Sequence, residues 1–462
     1  MKKTASLISV IMLLAVFSYA QKNIPNTLTS TDKVYGLSKF WQEVNYNFVY
    51  LEKIDKKMWE NAYKEYILKV QETKNDYDYY RELQRFCALL KDGHTNIYMP
   101  NILEPLTFNT MFGEYRLFLK NVDGKVIIER VNESKKDEIT IGSEIIEVNG
   151  LSTAEYLDQN VKPFISSSTD YVLEDIAAYS LLKGLEDQTY TIKIKSPKNK
   201  IKIITIKHAK TEETNVFPPF KNDSLFEMKW HQNDILYIAL NSFGNNKINR
   251  EFEKNLPEIY KAKGLVIDLR NNGGGSTNIG TDILQYLTND KSLHHSRYRT
   301  REHRAAFKAW GKYVTPNDTI NNDWKKRSYL YYHDQMFYDF DYEPTEIKIN
   351  KKRLVVPTAV LIGHNTASAA EDFLISADNQ KHFTKIGERT FGSTGQPFLF
   401  DLPGGGRARV CTKQDTYPDG RDFVGVGIKP DVEIIPTVND YINNRDVVLE
   451  KAIIFISEKL KL

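Results

Sequence analysis

Residues 353–372 read RLVVPTAVLIGHNTASAAED. The first part is a largely apolar run rich in β-branched residues, closed by Gly363. Such a run between turn signals reads as a strand buried on both faces, the kind found in parallel sheets covered by helices. A short polar turn and a small-residue helix start follow, which puts Ser368 near a helix N-terminus. There the orphan N–H groups and the helix dipole favour developing negative charge. Ala367, Ala369 and Ala370 leave room around the hydroxyl for a peptide. Serine is equally a preferred N-cap, so the segment alone leaves two roles open, cap and nucleophile.

Working outward, 262–270 (AKGLVIDLR) is a second buried strand, and 271–277 (NNGGGST) ends it with Gly273, Gly274 and Gly275. Glycines at a strand end let the backbone approach a ligand and turn N–H groups toward it, which is what an oxyanion needs. The loop lacks the Lys-Ser/Thr ending of a nucleotide-binding loop; a plain turn stays open. Together with 234–243 (DILYIALNSF) and helical patterns at 279–287 and 367–379, the region 216–462 alternates strands and helices and reads as an α/β core. Within it, about 291–352 is polar and aromatic and reads as an insertion decorating that core.

Upstream the texture changes twice. Residues 106–210 carry short alternating strands, plainest in KVIIERVNE (125–133), GSEIIEVNG (142–150) and 190–207, with a helix expected near 171–185. Residues 21–105 are helical, with apolar residues at three- and four-residue spacing in 33–51 and 77–90, ending in LLKDGHTNIYMP (89–100), where Gly93 breaks the helix.

Composition narrows the function. Over 462 residues, hydrophobic residues make up 41% and charged residues 27%, as in globular proteins. A formal charge of +3 gives no electrostatic reason to bind nucleic acid or an anionic membrane. Residues 1–20 (Lys2, Lys3, then an apolar run from Leu7 to Phe17, then SYA) read as a secretory signal cleaved after Ala20. That run is too short to span a bilayer comfortably, so the mature chain is expected to be exported, without stable membrane insertion. Two cysteines, Cys87 and Cys411, provide no disulfide framework; they are open to pairing or to staying as buried thiols.

Four segments in order, VIDLRNNGGG, GHNTASAAED, GERTFGSTGQ and YPDGRDFVGVGIKPDVEI, resemble the C-terminal processing (tail-specific) serine peptidases. The resemblance implies a crotonase-like (ClpP-like) peptidase core, preceded by a PDZ-like domain at 106–210 and an N-terminal helical domain at 21–105. It puts Ser368 at the nucleophile position and the backbone N–H groups of Gly274 and Ala369 at the oxyanion hole.

One departure decides the base. The tail-specific branch has TFGKG, whose lysine is the general base; here the segment is TFGSTG, with Ser393 at that place. A serine cannot replace a neutral amine. The sequence is closer to the branch typified by the tricorn core protease, which uses a histidine ahead of the PDZ-like module; the matching residue is His94 of KDGHT. Its ordinary pKa of about 6.5 suits proton abstraction near neutrality. His364, four residues before Ser368, and a bare turn role for His94 are the alternatives. A histidine base normally needs a carboxylate to fix its tautomer. That branch's glutamate position holds Val424 here, and Asp415, in an expected strand beside the site, is taken as the third member, ahead of Asp419, Asp422 and an orienting Thr95. Glu371 and Asp372 are expected to stabilise the helix start. The resemblance implies no metal and no cofactor, and a peptide or unfolded protein as substrate, captured by its C-terminus through strand addition to the PDZ-like module. A peptidase-like scaffold that only binds peptides and a hydrolase of non-peptide acyl esters stay open beside it.

Overall fold

The two apolar runs form strands Gly264–Asp268 and Thr358–Ile362, buried at every position and paired in parallel, as in the computed structural model of the chain. The structure describes residues 24–220 and 224–461, and its architecture is that of those residues; the expected signal segment 1–20 lies outside them. Around the central pair the sheet runs Phe226–His231, Ile235–Leu240, Gly264–Asp268, Thr358–Ile362, Phe383–Gly387, Val432–Glu433. Only the first pairing is antiparallel. One face buries Phe252, Ile283, Phe373 and Leu374 from helices Lys247–Lys254, Thr277–Leu284 and Ala369–Ser376. The other face is closed by Val448, Ala452 and Ile456 of helix Val447–Lys459. Continuous apolar strands thus sit between two helical layers, which is why they show no alternation.

The helical region holds Ser30–Asn47, Lys56–Glu72 and Asp76–Ala88, packed around Phe40, Trp59, Tyr79 and Phe86. It is not self-contained. Leu402, Ala408, Val410 and Cys411, from strands Pro397–Asp401 and Arg407–Cys411 and the turn between them, complete its core, and strand Asn96–Tyr98 pairs antiparallel with Arg407–Cys411. The boundary expected at residue 105 therefore separates sequence texture, not packing.

Residues 106–210 form an antiparallel sheet whose long strands are Tyr115–Val122, Lys125–Asn132, Glu144–Val148, Thr189–Lys195 and Ile201–Lys207. Helices Thr153–Asn160 and Asp170–Tyr179 accompany it. Val216–Phe217, expected to open the α/β core, instead pairs with Lys125–Asn132, because Val216 is buried against that sheet; the core sheet starts at Phe226. In the insertion, strand Arg297–Arg301 stays outside the central sheet but pairs with Lys413–Thr416.

Candidate active site

Ser368 stands between the buried strand Thr358–Ile362 and helix Ala369–Ser376 with φ 54° and ψ −120°. A non-glycine residue there is strained, by about 1–3 kcal/mol, and persists only where its surroundings hold it. The holding group is Glu371, fully buried. Its carboxylate accepts the Ser368 N–H at 3.0 Å, the Thr390 hydroxyl at 2.6 Å and the Gly392 N–H at 2.8 Å. Burial pushes its carboxyl up to about 8, against those three donors. Ser368 and Glu371 form a capping box, the serine side chain facing the Glu371 N–H, but the hydroxyl makes no hydrogen bond of normal geometry among the described residues, and Ser368 is half-buried. A sharp strand-to-helix turn that carries a serine at positive φ is the geometry of a nucleophile elbow. Asp372, next along, accepts from Ser296 at 2.6 Å and Thr277 at 2.7 Å, tying this helix to the glycine loop and the insertion.

The glycine loop lies directly against the elbow. A Cβ on Gly274 would come within 2.8 Å of Ser368 Cβ and 3.0 Å of Ala369 N, so no other residue fits at its φ of 96°. Of the two expected oxyanion donors, the Ala369 N–H meets no acceptor among the described residues. The Gly274 N–H does not stand free. It donates to Asn272 Oδ1 at 3.0 Å, because Asn272, buried and anchored to the Leu240 carbonyl, folds back over the loop.

His94, from the other end of the chain, meets the loop that follows the elbow. Its Nδ1 lies 2.7 Å from Ser393 Oγ. Ser393 follows Gly392, which shares Glu371 with Ser368, so a short hydrogen-bonded path joins the elbow to the loop that touches His94. His94 makes no direct hydrogen bond to Ser368 among the described residues. Its turn is fixed on every side. The Gly93 N–H donates to Ser168 Oγ at 2.9 Å, Arg409 donates to Asn96 Oδ1 at 2.7 Å and to the Gly93 carbonyl at 3.3 Å, and Thr95 donates to Asp92 at 2.6 Å. Burial, then the Arg409 and Lys413 cations, pull the imidazole down to about 4.

One expectation needs correction, and one alternative falls away. Asp415 is buried, but it does not orient His94. One carboxylate oxygen pairs with Lys413 at 2.8 Å and the other has no hydrogen-bond partner; burial pushes the group up to about 7. Strand pairing with Tyr298 fixes Asp415 in that direction. His364 does not face Ser368. Its ring packs tilted against Tyr171 and bonds Asp175 Oδ2 at 2.6 Å, joining the core to helix Asp170–Tyr179; burial lowers its pKa, and Asp175 and Glu388 together more than restore it. The Thr95 hydroxyl makes no hydrogen bond to the imidazole among the described residues; it donates to Asp92 and accepts the Cys411 N–H. Cys87 and Cys411 are both buried free thiols. Sequence reading missed Glu371 as the clamp and Ser393 as the partner of His94; a glutamate three residues after the serine was the available signal for the first. Among the described residues no cluster of His, Cys, Asp or Glu could hold a metal ion, and no helix is long and apolar enough to cross a membrane.

An α/β core that aims a serine from a strained elbow at a glycine loop defines a serine-type hydrolase. Residues 234–434 match the model of peptidase family S41, and the chain is a serine-type peptidase. It is 24% identical over 367 residues to a carboxyl-terminal-processing protease of Picosynechococcus sp., covering 77% of this chain and 73% of that protein. It is 21% identical over 369 residues to the chloroplastic C-terminal processing peptidase of Tetradesmus obliquus, covering 78% and 68%. The crystal structure of mature CPAF shares the fold, with a TM-score of 0.66 at 14% identity over 91% of this chain and 99% of that one.

Proposed function

We propose that the protein is an exported serine endopeptidase that cleaves peptide bonds through an acyl-enzyme, with Ser368 as nucleophile and His94 as general base. The observation that carries this is the Ser368 elbow, a serine held at positive φ by Glu371 directly against the glycine loop. In the reaction the Ser368 oxygen attacks the scissile carbonyl carbon while His94 Nε2 takes the hydroxyl proton. The negative oxygen meets the Ala369 N–H at the helix N-terminus, and a second donor, from Gly274, requires Asn272 to give way. The protonated imidazole then hands its proton to the leaving amine, and water releases the acyl group by the same steps. The depressed pKa keeps the ring neutral, and able to accept, throughout the neutral range.

Residues 106–210, read as the PDZ-like module, are taken to hold an extended substrate or its C-terminus. The strand Ile201–Lys207, last in the sheet order and carrying exposed Ile201 and Ile203, offers an edge to which a chain can add. Export rests on the leader-like residues 1–20. A fluorophosphonate probe tests the chemistry: labelling that vanishes in Ser368→Ala and weakens strongly in His94→Ala is expected. An intact, folded protein that takes no label and cleaves no unfolded casein would instead be the peptide-binding scaffold, a reading favoured by the lack of any carboxylate hydrogen-bonded to the His94 ring among the described residues.

A further inference from the structure

The imidazole of His94 is held by an unusual partner. Ser393 is wholly buried, its oxygen is 2.7 Å from Nδ1, and its hydroxyl makes no other hydrogen bond among the described residues. Among the described residues no carboxylate makes a hydrogen bond to the ring. Asp92 is committed to Thr95 and Ser168, Asp415 to Lys413, and Glu371 to Ser368, Thr390 and Gly392. The contact also depends on a close approach of backbone. A Cβ on Gly93 would lie 3.1 Å from Ser393 Oγ and 2.9 Å from Phe391 Cε1.

Resting on the reading of Ser368 and His94 above, we propose that Ser393 is a positioning residue that completes a Ser368–His94–Ser393 relay in place of an acid. For Nε2 to accept a proton, Nδ1 must carry one, and that N–H needs an acceptor. The Ser393 oxygen supplies it. A hydroxyl differs from a carboxylate in two ways. It brings no negative charge to support the imidazolium, and it can also donate to Nδ1, which would leave a hydrogen on Nε2 and block the base. The ring therefore gains orientation from Ser393 but little electrostatic help, and the relay is weaker than one with an acid.

The test is steady-state peptide hydrolysis by the full mature chain across pH. Ser393→Ala is expected to lower kcat about tenfold, the worth of one neutral hydrogen bond, with KM within about twofold. Loss of an acceptor for Nδ1–H disfavours the charged ring, so the acid limb of the profile moves to lower pH. Ser393→Thr, which keeps the hydroxyl, restores kcat. If Ser393→Ala leaves kcat and the acid limb unchanged while fluorophosphonate labelling still depends on Ser368 and His94, the positioning role fails and the dyad stands. If the wild-type chain takes no label, the dyad fails and takes this inference with it. Should both substitutions compromise folding, 15N NMR of the histidine-labelled wild-type chain, with His94 assigned by His94→Gln, decides. A Nδ1–H tautomer of His94 supports the relay, and a ring found only as Nε2–H overturns it.

Discussion

The two sides of the candidate site are held in opposite ways. The elbow is local: a buried strand, the helix that follows it, and Glu371 gripping both the serine and the 390–392 loop. The histidine turn is held by contacts from afar. Ser168 comes from the middle sheet region, Arg409 from the strand pairing with Asn96–Tyr98, and Ser393 from the loop after the elbow. The proposed nucleophile is therefore held mainly by the α/β core, whereas the proposed base is held only when three regions are assembled. Movement of the middle region would be felt first at Gly93, through Ser168.

The sharpest way to break the elbow is at the serine itself. Ser368→Ala is expected to reduce peptide hydrolysis by about a thousandfold or more, since removing a nucleophile leaves only binding and the oxyanion donors. Ser368→Gly should be equally inactive yet melt higher, by about 1 kcal/mol in stability, because glycine relieves the positive φ. Calorimetry on the two variants would contradict the strained elbow if the glycine variant were the less stable.

On the histidine side, Gly93→Ala is the counterpart. The added methyl group meets Phe391 and Ser393 within about 3 Å, so the turn must shift. A displacement of that kind at a catalytic group costs about a hundredfold in rate, while stability falls by about 1–2 kcal/mol. Equal rates for Gly93→Ala and the wild-type chain would remove His94 from the mechanism.

Glu371→Gln separates the two sides by pH. The folded carboxyl is raised from 4.5 to about 8, so the folded chain binds more protons than the unfolded one between those values. Stability from this group is thus full below about pH 4.5 and is lost as pH rises toward 8. Denaturant midpoints at pH 5 and pH 8 should diverge less in Glu371→Gln than in the wild-type chain. Losing acceptor capacity should also cost the variant about 1–2 kcal/mol at pH 5.

What could be read from residues alone follows the same division. The parallel strands were legible because burial on both faces leaves continuous apolar runs, and Ser368 because a strand, a turn and small residues are consecutive. The partner of His94 was not. It lies 299 residues away, and a hydrogen bond between two polar side chains leaves no periodic trace. Asp415 misled for a related reason: its strand does run beside the site, but the pairing partner and Lys413 decide which way the carboxylate points. The hairpin 397–411 that closes the helical core was likewise hidden, since its apolar residues read equally well as belonging to the α/β core.

The smallest expected effect probes how far the assembly, rather than the ring, sets the working pH. Burial is the first cause of the depressed His94 pKa and the Arg409 cation the second. The acid limb of kcat/KM should therefore fall near pH 4 in the wild-type chain, not near the ordinary value of about 6.5. Arg409→Gln removes a like charge, which makes protonation of the ring easier; the limb moves up, though short of 6.5 because burial remains. Arg409→Lys keeps the charge and loses the fork to Asn96 and Gly93, so it should lower kcat with little movement of the limb. If both variants shifted the limb equally, the shift would come from loosening the turn and exposing the ring to water. The charge of the strand that carries Arg409 would then have no part in tuning the base.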